Sequence, residues 1–503
     1  MKIIVAYDKK RGIGKDNAIP WYIKEELQYF KQVTTHTTKF MVSNVVIMGR
    51  NTWESIPENH RPLKDRINII ISSTISTAAD SAADSTAASA ADSAAASAAA
   101  SAADSAAYFQ PSLDDAFHLL DTLANVNRDN IFIIGGERLY KEAIERKDCE
   151  KIYVTEIYGS YDCERFFPEI PTTFVLTNSS KFKCENNTYY RNLIYYNTEY
   201  IDYQFNNVIP WRNTEEYQYL DCLYRIMTLG QSTVDRTEVG TLSLFGESFK
   251  YDLSDTFPLL TTKRQFVRGI FEEFMFYLSG KTDNGILQEN KIHIWDGNTS
   301  RDFLDKRGLG EYPENDMGET YGFNFRHYGA KYMTCKEDYT GQGFDQLTYA
   351  IHLIKNNPSS RRIIIDIWNG STIHKAALPP CLCKYQFYVN KPQQKLDLMI
   401  YIRSSDFFLA NNWNTCTGAF FVHMICALND VDLTPGMLTV ITGDTHIYKT
   451  HLDQVRENLQ RTPRPYPKLV VKCKRDNIED FQFEDMNIIG YYPQPNISAS
   501  MAV

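Results

Sequence analysis

Strand and helix signals alternate along the first 198 residues of this 503-residue chain, and that alternation restricts the stretch to a layered α/β arrangement. Short apolar runs at 3–6, 44–48, 67–72, 131–134 and 152–157 read as strands, with helices near 23–31 and 113–123 between them. Residues 78–107 break the pattern. They contain only Ala, Ser, Thr and Asp, with Ala-Ala-Asp-Ser recurring at 78, 82, 90 and 102. Alanine favours helix, yet no side chain in the run can bury enough area to offset the entropy of ordering it. It reads as a solvated loop or fraying helix, a low-complexity insert. Past it a strand resumes at 108–110, and Ser112 is placed to cap the following helix.

Length exceeds what one core supports. Residues 199–213 are polar and aromatic without periodicity and read as a linker ending at Pro210-Trp211. A second domain over 214–503 opens with a helix from Glu215 through Met227, and carries strands near 361–368, 384–389 and 396–403 and helices near 266–279 and 413–428. No apolar run approaches the roughly 20 residues of a membrane span. The start, Met1 to Asp8, reads as a buried strand and not a secretory signal. The ten cysteines are scattered without a Cys-x-x-Cys spacing, so we expect reduced thiols, no metal site and a cytoplasmic protein. A net charge of −9 argues against a nucleic-acid surface, so anionic substrates need local arginines.

Three constellations carry chemistry. In the helix near 23–31, Ile23, Leu27 and Phe30 share a face at i, i+4 and i+7, and Glu26 lies at its edge, where desolvation would raise its pKa and make it a proton source. An ordinary solvated acid of a first helical turn fits the spacing too. Two strand-glycine-helix turns, at Met48-Gly49-Arg50 and Ile134-Gly135-Gly136, let backbone amides approach a pyrophosphate, and Arg50 could meet an extra phosphate charge. Finally, Leu378-Pro379-Pro380-Cys381 and the later Arg403-Ser404-Ser405-Asp406 set a thiol and a guanidinium on neighbouring strands, which can hold the sulfur partly as thiolate and aim it at an electrophile.

The order Asn17 to Trp21, Glu26, Gly49 to Ser55, Arg61 to Arg66, Ile70 to Ser73, Gly135-Gly136 and Phe166-Phe167-Pro168 resembles dihydrofolate reductase over residues 1–198. That resemblance implies that Glu26, with water organised by Trp21, assists protonation of the pterin while hydride comes from NADPH. Phe30 and Ile56 would wall the folate, Arg66 would hold its glutamate carboxylate, and Thr155 would support the acid through its hydroxyl. Ala6, Ile13, Gly14, Gly49, Arg50, Thr52, Ser72, Gly135 and Gly136 take the cofactor positions.

From 214 to 503 the order Asp235-Arg236-Thr237, Phe257 to Lys263, Glu273, Ile294-Trp295-Asp296, Tyr321-Gly322, Ser360-Arg361-Arg362, Cys381, Arg403 to Asp406, Asn414, Gly443 to Tyr448 and Gly490 to Pro493 resembles thymidylate synthase. By that resemblance Cys381 adds to the uracil ring of dUMP. Arg236, Arg361, Arg362, Arg403 and Ser404 bind its phosphate, with Arg361 and Arg362 reaching the other subunit of a homodimer made through this domain. Arg403 also lowers the thiol pKa, Asn414 reads the uracil edge, and His446 and Tyr448 bind the ribose. Glu273 organises waters for proton transfers, and Trp295, Asn298, Tyr321 and Asp406 line the methylenetetrahydrofolate site. No metal is implied.

From end to end the chain resembles the bifunctional dihydrofolate reductase-thymidylate synthases of protozoan type. The expected fold is α/β: a mixed-sheet sandwich of dihydrofolate reductase type, then an α+β domain of thymidylate synthase type. Alternatives are a chain in which only the synthase half works, and a nucleotide-binding RNA regulator. The chain departs from the family at Leu382, where a histidine is usual, at Ile402, where a glutamine is usual, and at Ala410 to Trp413, where a run ending in Pro-Phe is usual. From sequence, Asn412→Pro with Trp413→Phe is expected to raise turnover or leave it unchanged.

Overall fold

The computed structural model describes residues 1–39, 41–73, 107–200, 208–234 and 239–500. Residues 78–106 of the insert, 201–207 of the expected linker, and Arg236 lie outside the described residues. Ala107, the last residue of the expected insert, already belongs to a strand. The chain divides into two compact units, Met1–Trp211 and Arg212–Val503. Among the described residues no helix is long and apolar enough to cross a membrane.

In the first unit the apolar runs become parallel strands: β1 (Lys2–Asp8), β3 (Ser43–Gly49), β4 (Arg66–Ile71), β5 (Ala107–Gln110), β6 (Val126–Gly135) and β7 (Lys151–Ile157), in the spatial order β7-β1-β6-β3-β4-β5. These strands are apolar without alternation because both faces of the sheet are covered. Ile3, Val5, Val45 and Ile47 pack into one cluster, and Ile4, Val46 and Met48, pointing the other way, pack into another. Parallel neighbours need crossovers. The connections carry α1 (Lys24–Thr35), α2 (Arg50–Ser55), α3 (Leu113–Thr122) and α4 (Glu137–Ile144), and Ser112 Oγ accepts from Asp115 N at 3.1 Å to cap α3. A short pair, β2 (Gly12–Gly14) with β8 (Arg165–Phe166), lies apart.

The β2–β8 pair went unread in the sequence, as did three strands of the main sheet, β9 (Phe174–Ser179), β10 (Lys183–Glu185) and β11 (Thr188–Asn197), with β11 returning antiparallel against β7. The expected helix 23–31 also shifts. Ile23 is the extended residue before α1, and Leu27 is 44% exposed, so the apolar stripe is not a core face along its length. The first amides of α1 are met from outside the helix: the Glu185 carboxylate accepts from Lys24 N (2.9 Å) and Glu25 N (3.0 Å), where the helix dipole favours an anion.

The second unit has a six-stranded sheet. Its strands are β12 (Gln231–Thr233), β13 (Thr241–Asp252), β14 (Ile364–Asp366), β15 (Leu382–Asn390), β16 (Lys395–Asp406) and β17 (Thr434–Tyr448), in the order β12-β13-β17-β16-β15-β14. Only β16 and β17 run parallel. Tyr385, Phe387 and Val389 of β15 and Leu398, Ile400 and Ile402 of β16 enter the core with period two. Helix α5 (Thr214–Leu229), α6 (Val267–Leu278) and α12 (Asn411–Cys426) supply the opposing side chains, Phe274 of α6 standing 5.1 Å from Phe421 of α12. Helix α12 is buried all round, as expected of a central helix. The smaller elements are α7 (Asn284–Glu289), α8 (Asp296–Thr299), α9 (Arg301–Lys306), α10 (Tyr321–Arg326), α11 (Gln346–Asn356), α13 (Leu452–Leu459) and the pair β18 (Lys468–Val471) and β19 (Met486–Ile489). The strand expected over 361–368 shrinks to β14, while β13 and β17 are long strands the sequence reading did not anticipate.

Candidate active sites

Helix α1 carries Glu26 on its sheet-facing side, where the carboxyl is buried and accepts no hydrogen bond from the described residues. Burial alone pushes its pKa up to about 7. Near the start of the same segment, buried Trp21 packs against Tyr161 at 5.2 Å and its Nε1 also lacks a partner. Arg66 opens β4 and is buried. Its Nε donates to Lys64 O (2.9 Å) and its Nη1 to Thr34 Oγ1 (2.8 Å), and its guanidinium lies 5.8 Å from the Phe30 ring. No carboxylate among the described residues pairs with it, and burial lowers its pKa. Phe30 and Ile56 join the same partly covered apolar cluster. Register sets Thr155 opposite Ala6 and Asn192, and its hydroxyl accepts from Asn192 Nδ2 at 3.0 Å, which leaves its own O–H available to donate.

The two glycine turns meet. Adjacent parallel strands β3 and β6 end at Gly49 and Gly135, and α2 and α4 begin directly after them with Gly49 and Gly136 as side-chain-free caps. A β-carbon on Gly135 would stand 3.1 Å from Thr52 Oγ1, and one on Gly136 3.3 Å from the same atom. The arrangement is a crevice at the carboxyl ends of parallel strands, the usual seat of a phosphate-bearing ligand. Arg50 donates from Nε to Glu54 Oε1 at 2.7 Å on the exposed side of α2. Ser72 follows β4, Ala6 packs with Trp21 and Ile23, Ile13 packs on the main core, and Gly14 O accepts from Glu164 N at 2.9 Å. Gly135 has φ +136°, so Gly135→Ala is expected to cost about 1–3 kcal/mol of stability. A lower urea midpoint for the first unit checks it.

In the second unit the prolines before Cys381 leave carbonyls that can only accept. Arg403 of β16 takes both: Nε donates to Pro380 O (2.9 Å), Nη2 to Pro379 O (3.1 Å), and its guanidinium stacks 5.2 Å from the Trp368 ring. Its backbone N–H reaches Cys381 O at 2.9 Å, and Cys381 N donates to Tyr321 Oη at 2.8 Å. The Tyr321 ring stacks on Tyr277 at 4.7 Å. Tyr277 Oη and Trp295 Nε1 each donate to Glu273 Oε1 at 2.7 Å, while Trp413 Nε1 donates to Glu273 Oε2 at 2.6 Å. Burial raises the Glu273 pKa and the three donors pull it back. An unbroken chain of contacts thus runs from the thiol loop through two tyrosines to a buried carboxyl and on to Trp413, the residue before Asn414.

The Asn414 amide and the Ser404 hydroxyl make no hydrogen bond to the described residues. Asp406 Oδ1 accepts from Leu409 N (3.0 Å), His446 Nδ1 faces Asp444 Oδ1 (3.0 Å), and the Tyr448 ring stands edge-on to His446 at 5.2 Å. Asn298 is buried in α8. Arg361 and Arg362 are exposed before β14, with no carboxylate partner among the described residues.

Family models bear on both units. The dihydrofolate reductase model matches residues 1–198 and the thymidylate synthase model residues 217–503. The chain is 38% identical to bifunctional dihydrofolate reductase-thymidylate synthase 2 of Arabidopsis thaliana, covering 100% of this chain and 88% of that protein. It is 38% identical to the bifunctional enzyme of Leishmania major, over 100% and 95% of the two chains, and 35% identical to that of Paramecium tetraurelia, over 100% and 98%. The chain belongs to the bifunctional dihydrofolate reductase-thymidylate synthase family. It is an enzyme of dTMP synthesis with a reductase half and a synthase half.

Against that family the departures prove to be packed together. Leu382 and Ile402, where the sequence reading expects a histidine and a glutamine, are register partners across β15 and β16, both fully buried, and form one apolar cross-strand pair. Counting back from the 390–395 turn pairs Leu382 with Arg403 instead; a register shift between Leu382 and Lys384 brings Ile402 opposite Leu382. Asn412 Nδ2 donates to Pro258 O (2.8 Å) and its Oδ1 accepts from Leu260 N (3.3 Å). With Cys416 Sγ also donating to Asn412 Oδ1 at 3.7 Å and Trp413 bonded to Glu273, the double change Asn412→Pro with Trp413→Phe removes four hydrogen bonds, so a fall in turnover is expected in place of the rise or unchanged rate that sequence alone suggests. Tyr277 was also missed, although its i+4 spacing from Glu273 on α6 could have suggested it.

Proposed function

We propose that the reductase half reduces dihydrofolate to tetrahydrofolate at Glu26, and that the synthase half converts dUMP to dTMP at Cys381 with 5,10-methylenetetrahydrofolate. The observation that carries the reading is where unpartnered polar atoms fall. Trp21 Nε1 is buried without a protein partner, Arg66 is buried with no carboxylate among the described residues beside it, and no described residue hydrogen-bonds the buried Glu26 carboxyl, the partly exposed Ser404 hydroxyl or the partly exposed Asn414 amide, so a ligand can meet each of them.

NADPH fits the crevice where Gly49, Gly135 and Gly136 leave the space around Thr52 clear of β-carbons, with Arg50 beside it; when bound it supplies the hydride. The remaining reductase tasks belong to the chain. Glu26 holds a proton for the pterin, Trp21 orients the water between them, Phe30 and Ile56 wall the ring, and Arg66 grips the glutamate carboxylate. Arg66→Leu is expected to raise KM for dihydrofolate about 10–100-fold with kcat nearly unchanged, the loss of a charge-assisted hydrogen bond made equally in ground and transition states. A folate analogue without the glutamate tail checks the assignment, because wild type and variant should then bind it alike.

In the synthase half, attack of the Cys381 thiolate on C6 of uracil makes C5 nucleophilic toward the methylene carbon. Arg403 and Ser404 hold the phosphate, Asn414 both donates to and accepts from the uracil edge, and Glu273 relays protons. Once C5 has bonded the methylene carbon, the C5 proton is lost and the bond from that carbon to the folate nitrogen breaks; the folate then gives its hydride to the exocyclic methylene and leaves as dihydrofolate, and the Cys381–C6 bond breaks to return the thiolate. Mass spectrometry of the enzyme with a fluorinated uridylate and methylenetetrahydrofolate tests this: a stable adduct on Cys381 is expected, and its absence would overturn the assignment.

The reading includes a cytoplasmic homodimer. The face of the six-stranded sheet turned away from α12 presents Tyr388 (61% exposed) and Tyr401 (39% exposed), which suits a second copy. Exposed Arg361 and Arg362 would then serve the partner's phosphate site. Mixing Cys381→Ser with Arg361→Ala/Arg362→Ala subunits is expected to restore roughly a quarter of the synthase rate by random two-fold pairing. No recovery would mean that the sites are not shared.

A further inference from the structure

The Glu273 carboxyl is held unevenly. Oε1 receives two donors, Tyr277 Oη and Trp295 Nε1, whereas Oε2 receives one, the indole N–H of Trp413 at 2.6 Å. A carboxylate offers about four acceptor sites, so the lone pair left on Oε2 is where a proton or a water can be exchanged. The direction of that lone pair is set by where the indole sits. Its far edge rests on α6 one turn before Glu273, the Cη2 atom lying 3.1 Å from where a β-carbon of Gly269 would be. The residue following Trp413 is Asn414, whose amide is uncommitted, and the first turn of α12 is tied a second time by Asn412 to the backbone of Pro258 and Leu260.

We propose that Trp413 is a positioning residue of the synthase site: its indole N–H aims the open lone pair of Glu273 Oε2 and fixes the distance between that carboxyl and the Asn414 amide. This rests on the assignment of Glu273, Asn414 and Cys381 to the synthase reaction. A phenyl ring at the same place fills similar space but has no donor. Indole nitrogen donates and never accepts, so it cannot trade the proton with Glu273; it favours the ionised carboxylate and stays in place when the proton leaves. The other titratable groups around Glu273 are Tyr277 on its own helix, Tyr321 on α10, Tyr385 on β15 and Cys381. Burial pushes all three phenols up, so none of them titrates with the carboxyl.

Two variants test the proposal: Trp413→Phe, and an enzyme carrying 3-benzothienylalanine at 413, which keeps the indole outline and replaces N–H by sulfur. Both are expected to lower synthase kcat about 10–100-fold, to leave KM for dUMP within about threefold, and to move the Glu273 limb of the kcat–pH profile up by about one to two pH units, the worth of one hydrogen bond to a buried charge. In a Glu273→Gln background the same replacement is expected to add less than about threefold, because the partner it serves is gone. The benzothienyl enzyme retains the shape, so its loss cannot be assigned to misfolding. If that enzyme keeps kcat within about threefold of wild type and an unmoved pH profile, Trp413 only fills space and the proposal is wrong. Failure of the underlying reading is separate: it would appear as no fluorinated-uridylate adduct on Cys381 in the wild-type enzyme.

Discussion

Cys381→Ser is expected to lower dTMP formation by at least about 10⁴-fold while NADPH-dependent reduction of dihydrofolate stays within about twofold of wild type. A hydroxyl in place of the sulfur has too high a pKa to supply an anion at neutral pH. The fold has no reason to change. The loop is held through its backbone, by Arg403 on the carbonyls of Pro379, Pro380 and Cys381 and by Tyr321 on the Cys381 amide, and none of those bonds uses the sulfur. Steady-state assay of each half separately reads the result. Equal loss of both activities would mean that the thiol loop supports more than its own site.

Glu26→Gln is the reciprocal case, with a second consequence in stability. An amide cannot give a proton, so dihydrofolate reduction is expected to fall about 10²–10⁴-fold with dTMP synthesis unchanged. In the wild type the carboxyl holds its proton below about 7 and loses it above, so the reductase rate should fall about tenfold per pH unit on the alkaline side, and this limb should vanish in the variant. The stability sign is opposite to that of a salt-bridged acid. Unfolded, the carboxyl titrates at the ordinary glutamate value of 4.5; folded, at about 7. Between these values the folded protein keeps a proton that the unfolded chain releases, so stability declines as pH rises through the window, by up to about 3 kcal/mol above it. Glu26→Gln removes that charge and is expected to stabilise the first unit by about 1–3 kcal/mol at pH 8 and hardly at all at pH 4. Urea midpoints at the two pH values decide it.

What could be read without coordinates followed from burial. Runs such as Ile3 to Val5 and Val45 to Met48 are apolar on consecutive residues because helices cover both faces of a parallel sheet, and such runs stand out. Strands β11 and β13 do not: they mix tyrosine, threonine and charge, and only their place in the sheet makes them strands. The glycine turns and the Pro-Pro-Cys loop were legible because their chemistry is local. The Asn192 bond to the Thr155 hydroxyl was not legible, because Asn192 lies 37 positions away in sequence and enters through a strand the reading lacked. The Trp413 bond to Glu273 spans 140 positions and joins two helices whose spacing no local pattern encodes.

The most direct test of two cooperating sites on one polypeptide is a single turnover balance. Purified enzyme is given dUMP, methylenetetrahydrofolate and NADPH, and dTMP, dihydrofolate and NADP⁺ are separated and quantified over time. The account predicts equal yields of dTMP and NADP⁺, with dihydrofolate appearing transiently and accumulating only when NADPH is withheld or Glu26 is replaced by Gln. Dihydrofolate that accumulates in step with dTMP while NADPH remains unoxidised would contradict it.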